Sequence, residues 1–530
     1  MTNSVPEFSE HTQCFLIVGS NTSEAHPLVA GHVMEAQARG AKLVVVDPRE
    51  IQMGRLADVY LRFRPGTDVA FLNGMMNVII GEGLADEAFV EERTEGLEEL
   101  REVVKEYTPE RVEQITGIPA DDLREAARTY ATHKPAAILY AMGITQHTTG
   151  TDNVKSCANL AMLTGNVGVA GGGVNPLRGQ NNVQGACDLG GLPNVYPGYQ
   201  AVTLPAVKEK FEQAWGVGGL DDQVGLTVTE MMDGACAGDV RALYVMAENP
   251  MLSDPDVNHV RHCLEQLDFL VVQDIFLTET AELAHVVLPG ASFAEKDGTF
   301  TGTDRRVQRV RKAIEPLGES RPDWLVVCQL AQRMGAHGFD FDSPEEVMEE
   351  IAVLTPIYGG VSYERLEKEG SLQWPVPTAD HLGTPYLHKD KFSRGLGHFH
   401  AIEFKEAVEL PDDEYPFILT TGRLMFHFHT GSMTRRSEKL AQEVPEAYVE
   451  LHPDDAASIG LNGSKRVRVA SRRGEIELMV RVTERIRPGV VFIPFHFAEA
   501  AANVLTNAAL DPIAKIPEYK VCAVRIEPLT

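Results

Sequence analysis

Arg178 is the cation whose surroundings point most directly to chemistry. It lies in Gly171-Gly-Gly-Val-Asn-Pro-Leu-Arg-Gly-Gln-Asn-Asn-Val-Gln-Gly185, a polar, glycine-rich stretch with no carboxylate to neutralise it. A guanidinium there offers a planar fork that can hold a small carboxylate or a phosphate through two parallel hydrogen bonds. An arginine that orders its loop by donating to carbonyls fits the same composition, and both readings stand. Two carboxylates, Asp47 and Asp274, follow apolar runs of matching character. At such a place a carboxylate can accept from ribose hydroxyls or from the N1 and N2 donors of guanine. Either aspartate alone reads as a strand-end turn residue; their recurrence favours a ligand. His147, His427 and His429 raise a metal reading, since Phe426-His-Phe-His429 places two imidazoles at i, i+2. No third or fourth ligand follows at a zinc spacing, so all three read as hydrogen-bonded loop histidines. The chain has no G-x-S-x-G, H-E-x-x-H or P-loop, which removes support for hydrolase and NTPase readings.

These residues need a scaffold, and the hydrophobic runs supply one. Phe15-Leu-Ile-Val18 is closed by Gly19-Ser-Asn21, followed by a helical stretch from His26 to Arg39 and a second run, Lys42 to Val46, ending at Asp47-Pro-Arg49. This is a βαβ unit whose continuous Val, Ile and Leu runs suit buried parallel strands. Ala136 to Tyr140 is a further strand. The pattern returns with Ala242 to Met246, the turn Ala247-Glu-Asn-Pro250, a helix over Asp256 to Glu265, and Phe269 to Val272 ahead of Gln273 and Asp274. Neither turn is G-x-G-x-x-G, which argues against a conventional NAD site. After Leu410 the texture is β-rich, with short strands at Phe417 to Thr421, Arg466 to Ala470, Glu475 to Val480 and Val490 to Ile493. The expected fold class is α/β: two pseudo-symmetric, Rossmann-like parallel-sheet domains plus a C-terminal β-barrel. The expected boundaries are 1–180, 181–294, a mixed connecting region 295–405, and the barrel 406–530.

Composition bounds the partners. The 530 residues carry a net charge of −28, which repels phosphate backbones and anionic lipid and argues against nucleic acid as a partner. Seven cysteines are dispersed with no C-x-x-C, a set that suits buried thiols better than disulfides or a zinc site. No basic-plus-apolar leader opens the chain and no apolar run is long enough for a membrane span, so the expected location is cytoplasmic.

Several segments closely resemble the molybdenum-dependent formate dehydrogenase large subunits of the molybdopterin oxidoreductase family. They are Gly165-Asn-Val-Gly168, Asn175 to Gly190, Leu192 to Tyr199, Gln273 to Ala281, Thr420 to Arg423 with His427 to Thr434, and Pro517 to Arg525. The resemblance runs over essentially the whole chain. It implies a bis(molybdopterin guanine dinucleotide) cofactor with molybdenum or tungsten, one nucleotide held by each α/β half, and a capping barrel of double-psi type. By this likeness Asn21, Glu24, Asp47, Arg49, Gly66 and Asp68 serve one guanosine-diphosphate site, and Glu248, Asn249, Gln273, Asp274 and Thr278 the other. Gln180 joins the cofactor-binding set, and Arg423, His429, Asn503, Tyr519 and Lys520 close over the pterins from the barrel. Arg178 resembles the family's active-site arginine, which implies formate oxidation to CO2 with electrons passed to a partner subunit or acceptor (NAD-linked, ferredoxin or hydrogenase).

One departure accompanies these matches. The family's N-terminal [4Fe–4S] motif and its metal-ligating selenocysteine or cysteine have no counterpart here, so no residue of this chain is assigned as a metal ligand. The expectation is that the first domain is incomplete at its N-terminus, that a selenocysteine codon was read as a stop, and that the 530 residues alone do not oxidise formate. A nitrate reductase or formylmethanofuran dehydrogenase type, or a non-catalytic cofactor-binding subunit, are the competing readings.

Overall fold

The computed structural model describes residues 1–529. The chain divides into two compact units. One comprises Met1–Gly179, Leu252–Asn258 and Tyr386–Thr530, the other Gln180–Met251 and His259–Pro385. Residues 181–251 and 259–385 thus share a unit, and the first α/β region shares one with the barrel.

In the first unit β1 (Cys14–Val18), β2 (Lys42–Val46), β3 (Val59–Leu61), β4 (Ala136–Tyr140) and β5 (Val174–Pro176) form an all-parallel sheet in the order β3-β2-β1-β4-β5. Every residue of β1 and β4 is buried, because helices cover both faces. Alternate residues of β1 divide accordingly: Leu16 and Val18 face one core with Phe71, Leu123 and Leu160, whereas Phe15 and Ile17 face another with Phe8, Val29 and Val33. The N-terminal residues belong to that second core, with Met1 and Phe8 buried in it. The strand order reverses between β1 and β4, the position where open α/β sheets bind ligands beyond their carboxyl ends. There Gly19 meets Gly143, whose N–H donates to the Gly19 carbonyl at 3.0 Å. Gly19 has φ +57°, and a β-carbon on it would lie 2.7 Å from the Gly143 carbonyl carbon, so only glycine fits.

The second unit repeats strand, helix, strand on a smaller scale. β6 (Ala242–Met246), β7 (Phe269–Asp274) and β8 (Val286–Pro289) are parallel in the order β8-β7-β6. Leu270 and Val272 are fully buried, but Tyr244, Phe269, Val286 and Val287 remain exposed. Burial on both faces, expected from the apolar runs, therefore holds for the first sheet and not for this one. An antiparallel sheet of β9 (Gly298–Thr301), β10 (Arg306–Val310) and β11 (Ser371–Gln373) occupies the region whose composition was mixed.

A closed barrel ends the first unit. It comprises β12 (Phe417–Gly422), β13 (Tyr448–Leu451), β14 (Arg466–Ala470), β15 (Glu475–Val482), β16 (Val490–Pro494) and β17 (Cys522–Pro528), in the order β12-β16-β13-β15-β14-β17. The pairs β12–β16 and β13–β15 are parallel and the others antiparallel. The fold class read from the sequence, α/β with parallel sheets and a C-terminal β-barrel, is what the chain adopts.

The cysteine reading needs correction. Cys236 and Cys263 form a disulfide. The helix Val228–Ala237 precedes β6 and the helix Val257–Glu265 follows it, so residues 27 apart in sequence meet in space. Linear spacing carries no sign of that. Cys14, Cys157, Cys328 and Cys522 are buried free thiols, as expected. Among the described residues no helix is long and apolar enough to cross a membrane.

Candidate active site

The carboxyl ends of β1, β2 and β5 and one end of the barrel gather most of the predicted residues of the first unit. Asp47 directly follows β2, and its Oδ1 accepts the Arg49 N–H at 2.9 Å, a local turn that fixes both side chains. Burial pushes the Asp47 carboxyl up to about 6, opposed by Arg49 and Lys520. The Arg49 guanidinium lies 3.4 Å from the Phe492 ring centre and donates through Nε and Nη2 to Glu450 on β13, at 2.9 to 3.1 Å. Lys520 is buried, donates from Nζ to the Thr421 carbonyl at 2.7 Å, and is pushed down to about 8 by that burial.

Gly66 has φ +82°, and a β-carbon there would come within 3.1 Å of Val521, so the loop lies close against the barrel's last segment. Glu24 faces Arg485 at 3.9 Å. Asp68 is buried beside His147 (3.8 Å), and His147 pairs through Nδ1 with Glu518 at 3.0 Å. Burial disfavours the imidazolium, but Glu518 and then Asp68 more than compensate and raise His147 to about 9. Burial also pushes Asp68 up to about 6, with His147 opposing.

A second cluster surrounds Arg178, which follows β5. Its carbonyl is held by His26 Nε2 at 2.8 Å, and the next strand holds the segment through the Leu177 N–H to the Tyr140 carbonyl at 2.7 Å. Burial lowers the pKa of both His26 and His429, and the charge of Arg423 lowers each further. His429 sits in a left-handed turn (φ 46°) with its carbonyl bonded to His496 Nδ1. Asn503 donates to the Leu252 and Ser253 carbonyls at 2.9 and 3.0 Å, and the Tyr519 hydroxyl also donates to Ser253.

In the second unit the predicted residues again line the carboxyl ends of the strands. Asp274 Oδ1 accepts from the Ile275 N–H at 2.6 Å, and Asn249 Oδ1 accepts from the Thr280 hydroxyl at 2.7 Å. Gln273 is fully buried between Tyr244 and Asp323. Thr278 Oγ1 accepts the Ala281 N–H at 3.3 Å. Glu248 adjoins the positive-φ residue Ala247 in the turn after β6. Gln180 opens this unit, its carbonyl accepting from Val183.

Sequence reasoning missed Glu450, Glu518, His26 and His496, which hold the predicted residues in place. Glu518 stands in the Pro517 to Arg525 segment, the one available signal. The His427 and His429 pair lies on turns and not on a strand; His427 is spent on the Val444 carbonyl at 2.9 Å and Thr434 at 3.3 Å.

A family model described as Molybdopterin oxidoreductase matches residues 2–333, and one described as Molydopterin dinucleotide binding domain matches residues 417–523. The chain belongs to the molybdopterin oxidoreductase family. Similar members of this family include the F420-dependent formate dehydrogenase 1 subunit alpha of Methanococcus maripaludis, 53% identical over 99% of this chain and 78% of the relative. The F420-dependent formate dehydrogenase subunit alpha of Methanocaldococcus jannaschii is 52% identical over the same shares. Formate dehydrogenase H of Escherichia coli is 43% identical over 100% of this chain and 74% of its own. Among solved structures, acetylene hydratase from Pelobacter acetylenicus matches with a TM-score of 0.77 at 24% identity, covering 98% of this chain and 78% of that one, a likeness of fold.

A molybdopterin oxidoreductase with a dinucleotide-binding domain takes a molybdopterin cofactor, and the donor set fits one. Asn21 Nδ2 and Arg423 Nε are buried with no internal hydrogen-bond partner among the described residues. Unsatisfied buried donors are costly, and an anionic ligand would satisfy them. Donors of this kind suit a pyrophosphate.

Proposed function

We propose that this chain is the formate-oxidising part of a formate dehydrogenase, and that the cofactor is a bis(molybdopterin guanine dinucleotide) centre with molybdenum or tungsten. When bound, that centre supplies the two-electron redox chemistry. Asn21, Glu24, Asp47, Arg49, Gly66, Asp68 and Lys520 hold one nucleotide, and Glu248, Asn249, Gln273, Asp274 and Thr278 the other. Arg423, His429, Asn503, Tyr519 and Gln180 complete the cofactor contacts.

Arg178 is the residue that orients formate. The observation that carries this reading is its anchored position: β5 and His26 fix its backbone at the carboxyl end of the sheet. A guanidinium there binds both oxygens of formate, and its planar fork fixes the direction of the C–H bond. The relatives named above as F420-dependent support F420 as the acceptor behind a partner subunit, and the expected location is cytoplasmic.

The test is formate oxidation by the enzyme purified with its partner subunits, with F420, NAD and ferredoxin offered in turn and the metal identified by elemental analysis. Formate-dependent reduction with one molybdenum or tungsten per chain is the expected result. Loaded enzyme that ignores formate and reduces nitrate would overturn the reading.

A further inference from the structure

Asp233, Cys236, His259 and Cys263 form a cluster that the proposed function does not use. Asp233 and Cys236 lie three apart on the helix Val228–Ala237, and His259 and Cys263 four apart on Val257–Glu265. Both spacings put the two side chains of a helix on one face. The two cysteine α-carbons are 4.4 Å apart, and the ligand atoms of Cys236, His259 and Cys263 lie within 4.8 Å of one another. His259 Nε2 is 3.4 Å from the Cys263 sulfur and 3.1 Å from Asp233 Oδ1.

We propose that reduction of the Cys236–Cys263 disulfide opens a Zn2+ site whose ligands are the two thiolates, His259 Nε2 and an Asp233 carboxylate oxygen. The donor set is that of tetrahedral zinc. With metal–ligand distances near 2.0 and 2.3 Å, a tetrahedron has N···S and N···O edges of roughly 3.6 and 3.3 Å. Two edges of the cluster are therefore already of the right length. The sulfurs must part, to roughly 3.8 Å, which breaking their bond permits, and the exposed Asp233 carboxylate must turn toward them about its own side-chain bonds. The site is open to solvent on one side: the Asp233 side chain is 70% exposed and that of His259 40%, while Cys263 is buried.

The chemistry balances with a dithiol as reductant. The disulfide takes two electrons and two protons, yielding two thiols, while the dithiol leaves as its own disulfide. Zn2+ then displaces the two thiol protons as it binds. Metal binding and the disulfide are mutually exclusive states of one cluster, so the site reads the thiol redox poise around the enzyme.

Co2+ can stand in for Zn2+ and reports thiolate ligation by its charge-transfer absorption. The purified enzyme should be reduced with a dithiol, freed of reductant, titrated with Co2+, and compared with the same enzyme left oxidised and with a Cys236→Ser, Cys263→Ser double variant. The expected result is one additional equivalent of thiolate-bound Co2+ in the reduced enzyme, displaced by Zn2+, and loss of that equivalent in the other two. Equal uptake in all three, or no thiolate band after reduction, would overturn the proposal. If the double variant does not fold, alkylation of the reduced wild type decides: Zn2+ should protect Cys236 and Cys263, and equal labelling with and without Zn2+ would overturn it.

Discussion

Arg49 and Glu450, 401 residues apart in sequence, form a buried two-pronged ion pair that joins the loop after β2 to barrel strand β13. The pair couples a predicted nucleotide-binding residue to the barrel, so cofactor contact and barrel position are set by one interaction. Phe492 beneath the guanidinium completes the clamp. Replacing Glu450 with glutamine leaves Arg49 charged, buried and unpaired. Breaking such a pair costs about 3–5 kcal/mol. Denaturant unfolding of Glu450→Gln should show a loss of that order, and an unchanged midpoint would contradict the clamp.

Asn21 tests the cofactor site separately from stability. Its buried Nδ2 makes no internal hydrogen bond among the described residues, so truncation removes an unsatisfied donor together with the long 3.4 Å bond that its Oδ1 accepts from the Ser23 hydroxyl. Asn21→Ala should leave the thermal midpoint of cofactor-free protein unchanged or slightly higher, and lower the molybdopterin content of protein isolated from cells. Normal cofactor content in this variant would remove Asn21 from the site.

Gly143 tests the close approach of the two loops at the switch point of the first sheet. A β-carbon on it would lie 2.5 Å from the Gly19 α-carbon, with backbone on both sides and nothing flexible to yield. Gly143→Ala should cost about 1–3 kcal/mol as overpacking, or prevent folding. Wild-type stability in this variant would mean that the loops separate easily.

The His147, Glu518 and Asp68 cluster predicts a pH dependence. His147 is raised from its ordinary value to about 9. A group raised on folding contributes stability that is fully present below its unfolded pKa, near 6.5, and is lost as pH rises through its folded value. Asp68, raised to about 6, likewise contributes at low pH a stability that is lost as pH rises through about 6, before His147 titrates. Lys520, lowered to about 8, acts in the opposite sense, but it is present in wild type and variant alike. The stability difference between wild type and His147→Gln should therefore shrink by roughly 3 kcal/mol between pH 6 and pH 10. A pH-independent difference would show that His147 is not held charged.

The sequence carried the fold well where apolar runs are long and uninterrupted. β1, β2, β4, β6 and β16 lie where Val, Ile and Leu cluster between turn residues. It carried β3, β5 and β13 poorly. The first two are three residues long, and β13 contains Glu450, whose charge is tolerated only because Arg49 arrives from 401 residues away. The same limit applies to the site. Asp47 and Asp274 were legible because each ends an apolar run, and Arg178 because its loop is compositionally distinct. His26, Glu518 and the Cys236–Cys263 pair were not, since their roles depend on neighbours that only the folded chain brings near.

Formate kinetics of Arg178→Lys in the complete, cofactor-loaded enzyme test the central claim most directly. The substitution keeps the positive charge and removes the planar fork. The account predicts a higher KM for formate together with a kcat lower by about 10²–10³-fold, at unchanged cofactor content and thermal midpoint. Wild-type KM and kcat in that variant would contradict it.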